Sequence, residues 1–274
     1  MPRTPKAVAL GRVLRRSREA ADLSLREAAL SLNRDVPSLS RYENGIRIPK
    51  PELVSRMLTA FGVDGARHDE LMTLAYRVGD PQWLATTDAE RRQQAEAYVE
   101  YERDATSILQ VSPLVLPELL QTPAVLRSTH RTEAEVQHAL RRQQVITGPN
   151  PTRLTALIGM PALHQHIGGT TAAAEQLQHL LALSRRPHIE LRITPSGQGW
   201  HPGLEGPFTI VDSTPIGPVA FVETRFSTLW LHNPTDVSPY RKDAESIRTL
   251  SLSPHETNTF LATTAYRYQM AGCR

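Results

Sequence analysis

The segment "SLREAALSLNRDVPSLSRYENG", residues 24–45, constrains the chain more tightly than any other. Ser24 and Glu27 form a capping box, in which each side chain satisfies a backbone N–H at a helix start, and Leu25, Ala28, Ala29 and Leu32 follow at helical spacing. Asn33 tolerates the left-handed conformation that ends a helix, and Asp35 can cap the next one, so only Asn33-Arg34-Asp35 separates two helices. Helices joined that tightly must cross at a large angle, and the small pair Ala28-Ala29 lets a neighbour pack close. The second helix is expected over 36–44. With Leu39 inward, Tyr42, Glu43 and Val36 lie within about 60° of it, whereas Pro37 and Arg41 point the opposite way, flanked by Ser38, Ser40 and Asn44. Pro37 suits a first turn, which has no internal use for its missing N–H, and Gly45 supplies the left-handed stop. A helix this short is unstable alone, so its neighbours must hold it while its polar face, with one arginine, is offered to something else.

The charge distribution suggests what that is. Residues 1–60 hold twelve Lys and Arg against six Asp and Glu, while residues 81–274 hold seventeen against eighteen. The positive field therefore belongs to the N-terminal segment and points to a polyanionic partner. Helical periodicity over Leu10, Val13 and Leu14, then over Leu53, Val54, Met57, Leu58 and Phe61, then over Leu71, Leu74, Ala75 and Val78, completes five short helices in the first eighty residues.

Residues 23–45 resemble the helix-turn-helix of Xre-type, phage-repressor-like regulators, with Ala29 as the central alanine and Leu39-Ser40-Arg41-Tyr42-Glu43-Asn44-Gly45 as the finish. The resemblance implies that 36–44 is a recognition helix in the major groove of double-stranded DNA, with Val36, Pro37, Ser38 and Arg41 nearest the base edges. An arginine fork can donate two hydrogen bonds to guanine. It also implies that Arg18 pairs with Glu43 in a structural role. Leu25, Asn33 and Asp35 stand where the family usually has Gln, Gly and Ser, and Leu25 removes one phosphate contact. Backbone binding then depends on Arg26, Asn44, Arg47 and Lys50.

"GDPQWLATT", residues 79–87, has turn and linker composition, which sets expected boundaries of 1–80 for the DNA-binding domain, 81–90 for a linker and helix start, and 91–274 for a second domain. Thr87 and Glu90 cap a long amphipathic helix carrying Tyr98, Tyr101, Ala105, Ile108 and Leu109. Pro113, Pro117 and Pro123 cut the next stretch into short helical turns, and Thr132 with Glu135 caps a helix to about 146. "LTALIGM", "HIELRIT", "PFTIVDS", "VAFVET" and "TLWLHN" read as strands, the third and fourth as a hairpin about "TPIGP", with a helix holding Leu177, Leu180 and Leu181 between the first two. Helices from about Pro239 and Pro254 close the chain. The expected fold is an all-α five-helix helix-turn-helix domain followed by an α+β domain.

"YVEYERDATSILQVSPLVLPELLQTPAVLR", "HPGLEGPFTI" and "NPTDVSPYRKDAESIRTLSLSPHET" resemble the C-terminal domain of WhiJ-like actinobacterial regulators. That resemblance implies transcriptional control, a small neighbour-encoded partner protein and an antitoxin-like description. The α+β domain is then expected to dock that partner or a second subunit, or alternatively to sense a small-molecule effector, with an enzyme as a remote third reading. A homodimer is expected because one recognition helix reads too few base pairs to find a genomic site.

The loop at 195–207 is the candidate ligand site, since its glycines and prolines shape it and Trp200, His201 and Glu205 offer stacking and hydrogen-bonding groups. It has no Gly-Lys-Ser/Thr ending of a phosphate loop. His164 and His166 with His201 and Glu205 match no zinc spacing, and no nucleophile elbow is present, so no metal, cofactor or catalytic residue is assigned and the chain is not expected to be an enzyme. The single cysteine, Cys273, can form no internal disulfide. No apolar run is long enough for a membrane helix and the N-terminus lacks a secretory apolar core, so the expected location is cytoplasmic, nucleoid-associated when DNA-bound.

Overall fold

A computed structural model describes residues 4–129, 132–214, 217–224 and 227–272. Cys273 and part of the "TPIGP" turn lie outside them. In chain order the helices are α1 (Pro5–Ala20), α2 (Leu25–Ser31), α3 (Val36–Glu43), α4 (Pro51–Ala60), α5 (Gly65–Tyr76), α6 (Asp88–Arg103), α7 (Pro123–Arg127), α8 (Glu133–Arg142), α9 (Gln144–Thr147), α10 (Met160–Leu163), α11 (Gly169–Leu183), α12 (Pro234–Leu250) and α13 (Pro254–Gly272). The strands are β1 (Gln82–Leu84), β2 (Ala105–Ser112), β3 (Arg153–Gly159), β4 (Ile189–Thr194), β5 (Phe208–Ser213), β6 (Val219–Glu223) and β7 (Thr228–Leu231). An N-terminal helical region is thus followed by a region of mixed sheet and helices. The chain divides into two compact units, the first of Met1–Glu100, Thr214–Gly217 and Thr224–Asn233, the second of Tyr101–Ser213, Pro218–Glu223 and Pro234–Arg274.

In the first unit the helix ends explain the path of the chain. Helices α1 to α4 each stop in the same way: a left-handed residue follows the C-cap, and the next two N–H groups fold back on the last turn. The left-handed residues are Asp22, Asn33, Gly45 and Gly62, with φ of 55°, 51°, 64° and 72°. At α2, Arg34 N donates to Ala29 O at 2.9 Å and Asn33 N to Leu30 O at 3.1 Å; at α3, Ile46 N donates to Arg41 O at 2.8 Å and Gly45 N to Tyr42 O at 3.0 Å. The apolar stripes meet in a core of Leu10, Leu14, Leu39, Val54, Met57, Leu58 and Leu71, each at most 1% exposed. Gly11 lets α1 lie directly on the end of α3, since a Cβ there would sit 2.5 Å from Tyr42 O and 2.7 Å from Glu43 O.

Residues 82–84, expected as linker, form a strand. β1 pairs antiparallel with β7, Trp83 opposite Trp230, and the two indoles lie 4.9 Å apart in a buried tilted pair. The Gln94 amide of α6 donates to Trp83 O at 2.7 Å and to Thr228 O at 3.1 Å, tying the helix to both strands. Helix α6 is also shorter than its apolar spacing suggests. It ends at Arg103, and residues 105–112 are β2 rather than its continuation. Ile108 and Val111 mimic helical spacing, and the alternation is hidden because polar Gln110, 7% exposed, shares the buried side with Ile108 while Leu109 is only half-buried.

The second unit holds strands in the order β6-β5-β2-β3-β4. The β5·β6 and β2·β5 ladders are antiparallel, and the β2·β3 and β3·β4 ladders are parallel. Parallel neighbours need crossovers, which α7 to α9 supply between β2 and β3, and α10 and α11 between β3 and β4. In β3, Leu154, Ala156, Leu157 and Ile158 are all buried, as befits a strand covered on both faces. At the free side of β4, Leu252 N donates to Ile193 O at 2.8 Å and Ile193 N to Thr257 Oγ1 at 3.3 Å, so the edge is capped by the chain entering α13. Helix α12 begins at Pro234, five residues before the expected start, with Pro239 inside it.

Candidate nucleic-acid interface

Five of the eleven described cations of residues 4–60, Lys6, Arg12, Arg15, Arg16 and Arg18, are paired with acids within the first unit. Lys6 donates to Arg77 O at 3.0 Å and to Asp80 at 3.1 Å, and its burial pushes the ammonium pKa down. Arg12 and Arg16 both reach Glu100 of α6, and Arg16 also contacts Glu96 at 3.4 Å. Arg15 binds Glu19 at 2.8 Å, and Arg56 donates to Leu32 O at 3.2 Å. Among the described residues, the side chains of Arg26, Arg34, Arg41 and Lys50 carry no hydrogen bond or ion pair, and all four are exposed. Arg47 is exposed too, its guanidinium 5.7 Å from the centre of the Tyr42 ring. The cations left free for a partner therefore lie between residues 26 and 50, on α2, the turn after it, α3 and the loop beyond.

Three devices hold α3 in place. At its start, Asp35 Oδ1 accepts from Ser38 N at 2.7 Å while Ser38 Oγ donates to Asp35 Oδ2 at 2.7 Å, and the hydroxyl bond, with the backbone bond behind it, lowers the Asp35 pKa. At its end is the Gly45 stop. Along its inner side, Arg18 of α1 grips Glu43 with two bonds, Nε to Oε1 at 2.6 Å and Nη2 to Oε2 at 2.9 Å, and adds a third from Nη1 to Leu23 O at 2.7 Å. Those bonds to Glu43 raise the guanidinium pKa further, and both side chains are under 10% exposed.

The four expected base-reading residues are not equivalent. Pro37 and Arg41 are exposed and Val36 is 38% exposed. Ser38, placed on the polar face by the helical wheel, is instead only 9% exposed, because its hydroxyl turns back to the Asp35 cap. Of the four phosphate candidates, Arg26, Arg47 and Lys50 are exposed with free cationic heads. Asn44 is committed locally, its side-chain amide donating to Ser40 O at 2.8 Å and its backbone N–H to Ser40 O at 3.0 Å. Arg34 was not singled out by spacing. It sits in the inter-helix turn, and its place just before the Asp35 cap was the available signal.

In the second unit, the 195–207 loop contains a 3-10 turn at Pro202–Glu205. Trp200 is 72% exposed and Glu205 is exposed, whereas His201 is 8% exposed with Nδ1 lacking a hydrogen-bond partner among the described residues. Gly203 makes that burial feasible, since a Cβ there would meet His201 Nδ1 at 3.0 Å. His164 and His166 lie instead beside α13, edge-on to Phe260 at 6.4 Å and Tyr268 at 4.6 Å. Among the described residues no group of three or more His, Cys, Asp or Glu is placed to hold a metal ion, and no helix is long and apolar enough to cross a membrane. A small cleft with a cavity volume of about 30 Å³ lies elsewhere, walled by Leu116, Val125, Leu163 and Leu177; neither Trp200, His201 nor Glu205 lines it.

Residues 9–71 match the model of a helix-turn-helix domain, and residues 95–263 match that of a domain of unknown function, DUF5753. No curated protein and no solved structure matches the chain. The first match marks a DNA-binding regulator, and its span encloses α2, α3 and every free cation named above. The second covers more than half of the chain, which therefore belongs to the DUF5753 family, here carried behind a helix-turn-helix domain.

Proposed function

We propose that this protein is a sequence-specific, Xre-type transcriptional regulator that lays α3 in the major groove. Residues 1–80 carry the DNA contacts in this reading, with Arg41, Pro37 and Val36 at the base edges, Ser38 at the margin, and Arg26, Arg47, Lys50 and the Asn44 region on phosphates. The observation that carries it is Arg41, exposed and without an ion pair on a helix whose other ionised side chain, Glu43, is locked to Arg18. A groove-facing arginine keeps its donors for guanine when no internal ion pair holds them.

The regulator acts as a homodimer, because one short recognition helix reads too little sequence to locate a genomic site. Its second unit docks the other subunit or a small neighbour-encoded protein; exposed Trp200 and Leu204, 72% and 60% accessible, support an interaction role. The WhiJ-like and antitoxin-like descriptions, and a cytoplasmic, nucleoid-associated location, rest on the sequence resemblance. A second reading, in which the second unit senses a small molecule, rests on the sequence alone, since the cleft beside α11 has a cavity volume of only about 30 Å³.

The test is to select preferred duplexes from random sequence and titrate the winner in a gel-shift assay. Arg41→Ala should weaken the selected duplex by about 1–3 kcal/mol and flatten preference at one base pair. Unchanged affinity and unchanged preference would remove Arg41 from the interface.

A further inference from the structure

We propose that α3 selects a thymine-bearing element, in which Val36 and Pro37 recognise thymine by its 5-methyl group beside a single guanine held by Arg41. This deepens the DNA-binding reading above and rests on it, naming the base chemistry that the recognition helix prefers. Three of the eight residues of α3 are exposed, and they are Val36, Pro37 and Arg41. The side chains of the first two are wholly apolar, and Pro37 lacks even a backbone N–H.

The polar side chains of the same helix are already engaged. Asp35 uses both carboxylate oxygens on Ser38, one accepting from its N–H at 2.7 Å and the other from its hydroxyl at 2.7 Å. Ser38 therefore gives its hydroxyl hydrogen to the cap rather than to a base, and it is only 9% exposed. Ser40 is half-buried, and its hydroxyl accepts from the Asn44 side-chain amide at 3.3 Å. Glu43 is locked to Arg18. The first turn of α3 thus offers the groove hydrocarbon, and the next turn offers it a free guanidinium.

Each base shows a different edge in the major groove, and thymine's is the one that carries a methyl group. An apolar surface set against the edge of adenine, guanine or cytosine would strip water from a donor or acceptor and return no hydrogen bond. Against the thymine methyl it removes apolar area from water. Val36 and Pro37 can therefore favour thymine without making a hydrogen bond. Arg41 is the opposite kind of reader, with two donors for guanine O6 and N7. Residues 37 and 41 lie about 6 Å apart along the helix axis and base pairs stack about 3.4 Å apart, so thymine and guanine fall within about three base pairs of one another.

The experiment uses the full chain and the duplex it selects from random sequence, compared by gel shift with the same duplex carrying deoxyuridine, which pairs as thymine does but lacks the methyl. The selected half-site should hold thymine within about three base pairs of a guanine. Removing one such methyl should weaken binding about fourfold, the worth of one methyl group taken out of water. The double variant Val36→Ala with Pro37→Ala should lose most of that preference, and 7-deazaguanine at the guanine should weaken the unaltered protein but not Arg41→Ala. The comparison of the two duplexes needs no variant, so it decides the matter whether or not the substituted protein folds. Uridine that binds equally well, uridine that weakens binding as much at thymines outside the half-site, or a double variant that keeps the full preference overturns the proposal. Selection of a duplex with no thymine near the guanine overturns it too, while leaving sequence-specific binding intact; selection of no duplex at all removes both readings.

Discussion

Arg18 and Glu43 show how little of a side chain's role is visible in its charge. Removed from water together and joined by two short bonds, they orient α3 from behind, and neither can be removed without leaving the other buried and ionised. Glu43→Ala should therefore cost about 3–5 kcal/mol of stability by urea unfolding. A loss below about 1 kcal/mol would place the pair among ordinary surface bridges. Glu133 is the opposite case, fully exposed yet held by Arg127, at 3.0 and 3.1 Å, and by Gln137 at 2.9 Å. The Arg127 bond first, then that of Gln137, lowers its pKa from 4.5 to about 2. Because the folded value is depressed, the contribution is complete above pH 4.5 and fades as pH falls toward 2. A carboxyl NMR titration should find that midpoint, and Arg127→Gln should return it toward 4.5. The sequence made Asp35 and Gly45 legible because caps and stops are local. It could not reveal that Ser38 turns inward or that Arg34 stays free, since both depend on neighbours competing for the same groups.

At the scale of elements, contact distance decides more than propensity. Gly11 lies in the middle of α1, where alanine would ordinarily be the better helix former. Its hydrogen instead faces the carbonyls at the end of α3, and both elements are backbone there, so neither can yield. Gly11→Ala should lower stability by about 1–3 kcal/mol rather than raise it, seen as a fall in Tm, and should weaken DNA binding beyond what unfolding explains. A rise in Tm would show that α1 and α3 separate freely. The five N-terminal helices could be read from spacing, and α1 to α4 also from their local left-handed stops, which α5 lacks. The strands at 82–84 and 105–112 could not. One is three residues long, and the other buries Gln110 where the pattern calls for an apolar residue; only pairing with distant strands makes either extended.

For the whole molecule, the free cations of residues 26–50 amount to one half-site's worth of contacts. A single chain so equipped would bind DNA tightly only at low salt and with little discrimination. Native mass spectrometry of the protein on its selected duplex should therefore show two chains per duplex, and one chain on an intact site would contradict the dimer. The cleft was not legible at any local scale. Its lining is drawn from residues 116 to 177, and His166 among them was weighed from the sequence only as a metal ligand; the loop that did look like a site is largely surface.

The pairing of β1 with β7 has a consequence in time. Leu84 leaves the ribosome long before Thr228 is made, and at about 5–20 residues per second the interval is on the order of ten seconds. Throughout it Trp83 has no indole to pack on, and the Gln94 amide lacks one of its two carbonyl acceptors. The unit that carries the helix-turn-helix is thus completed only near the end of synthesis, and a message cut short before codon 228 would leave an unpaired strand and an exposed tryptophan beside its five helices.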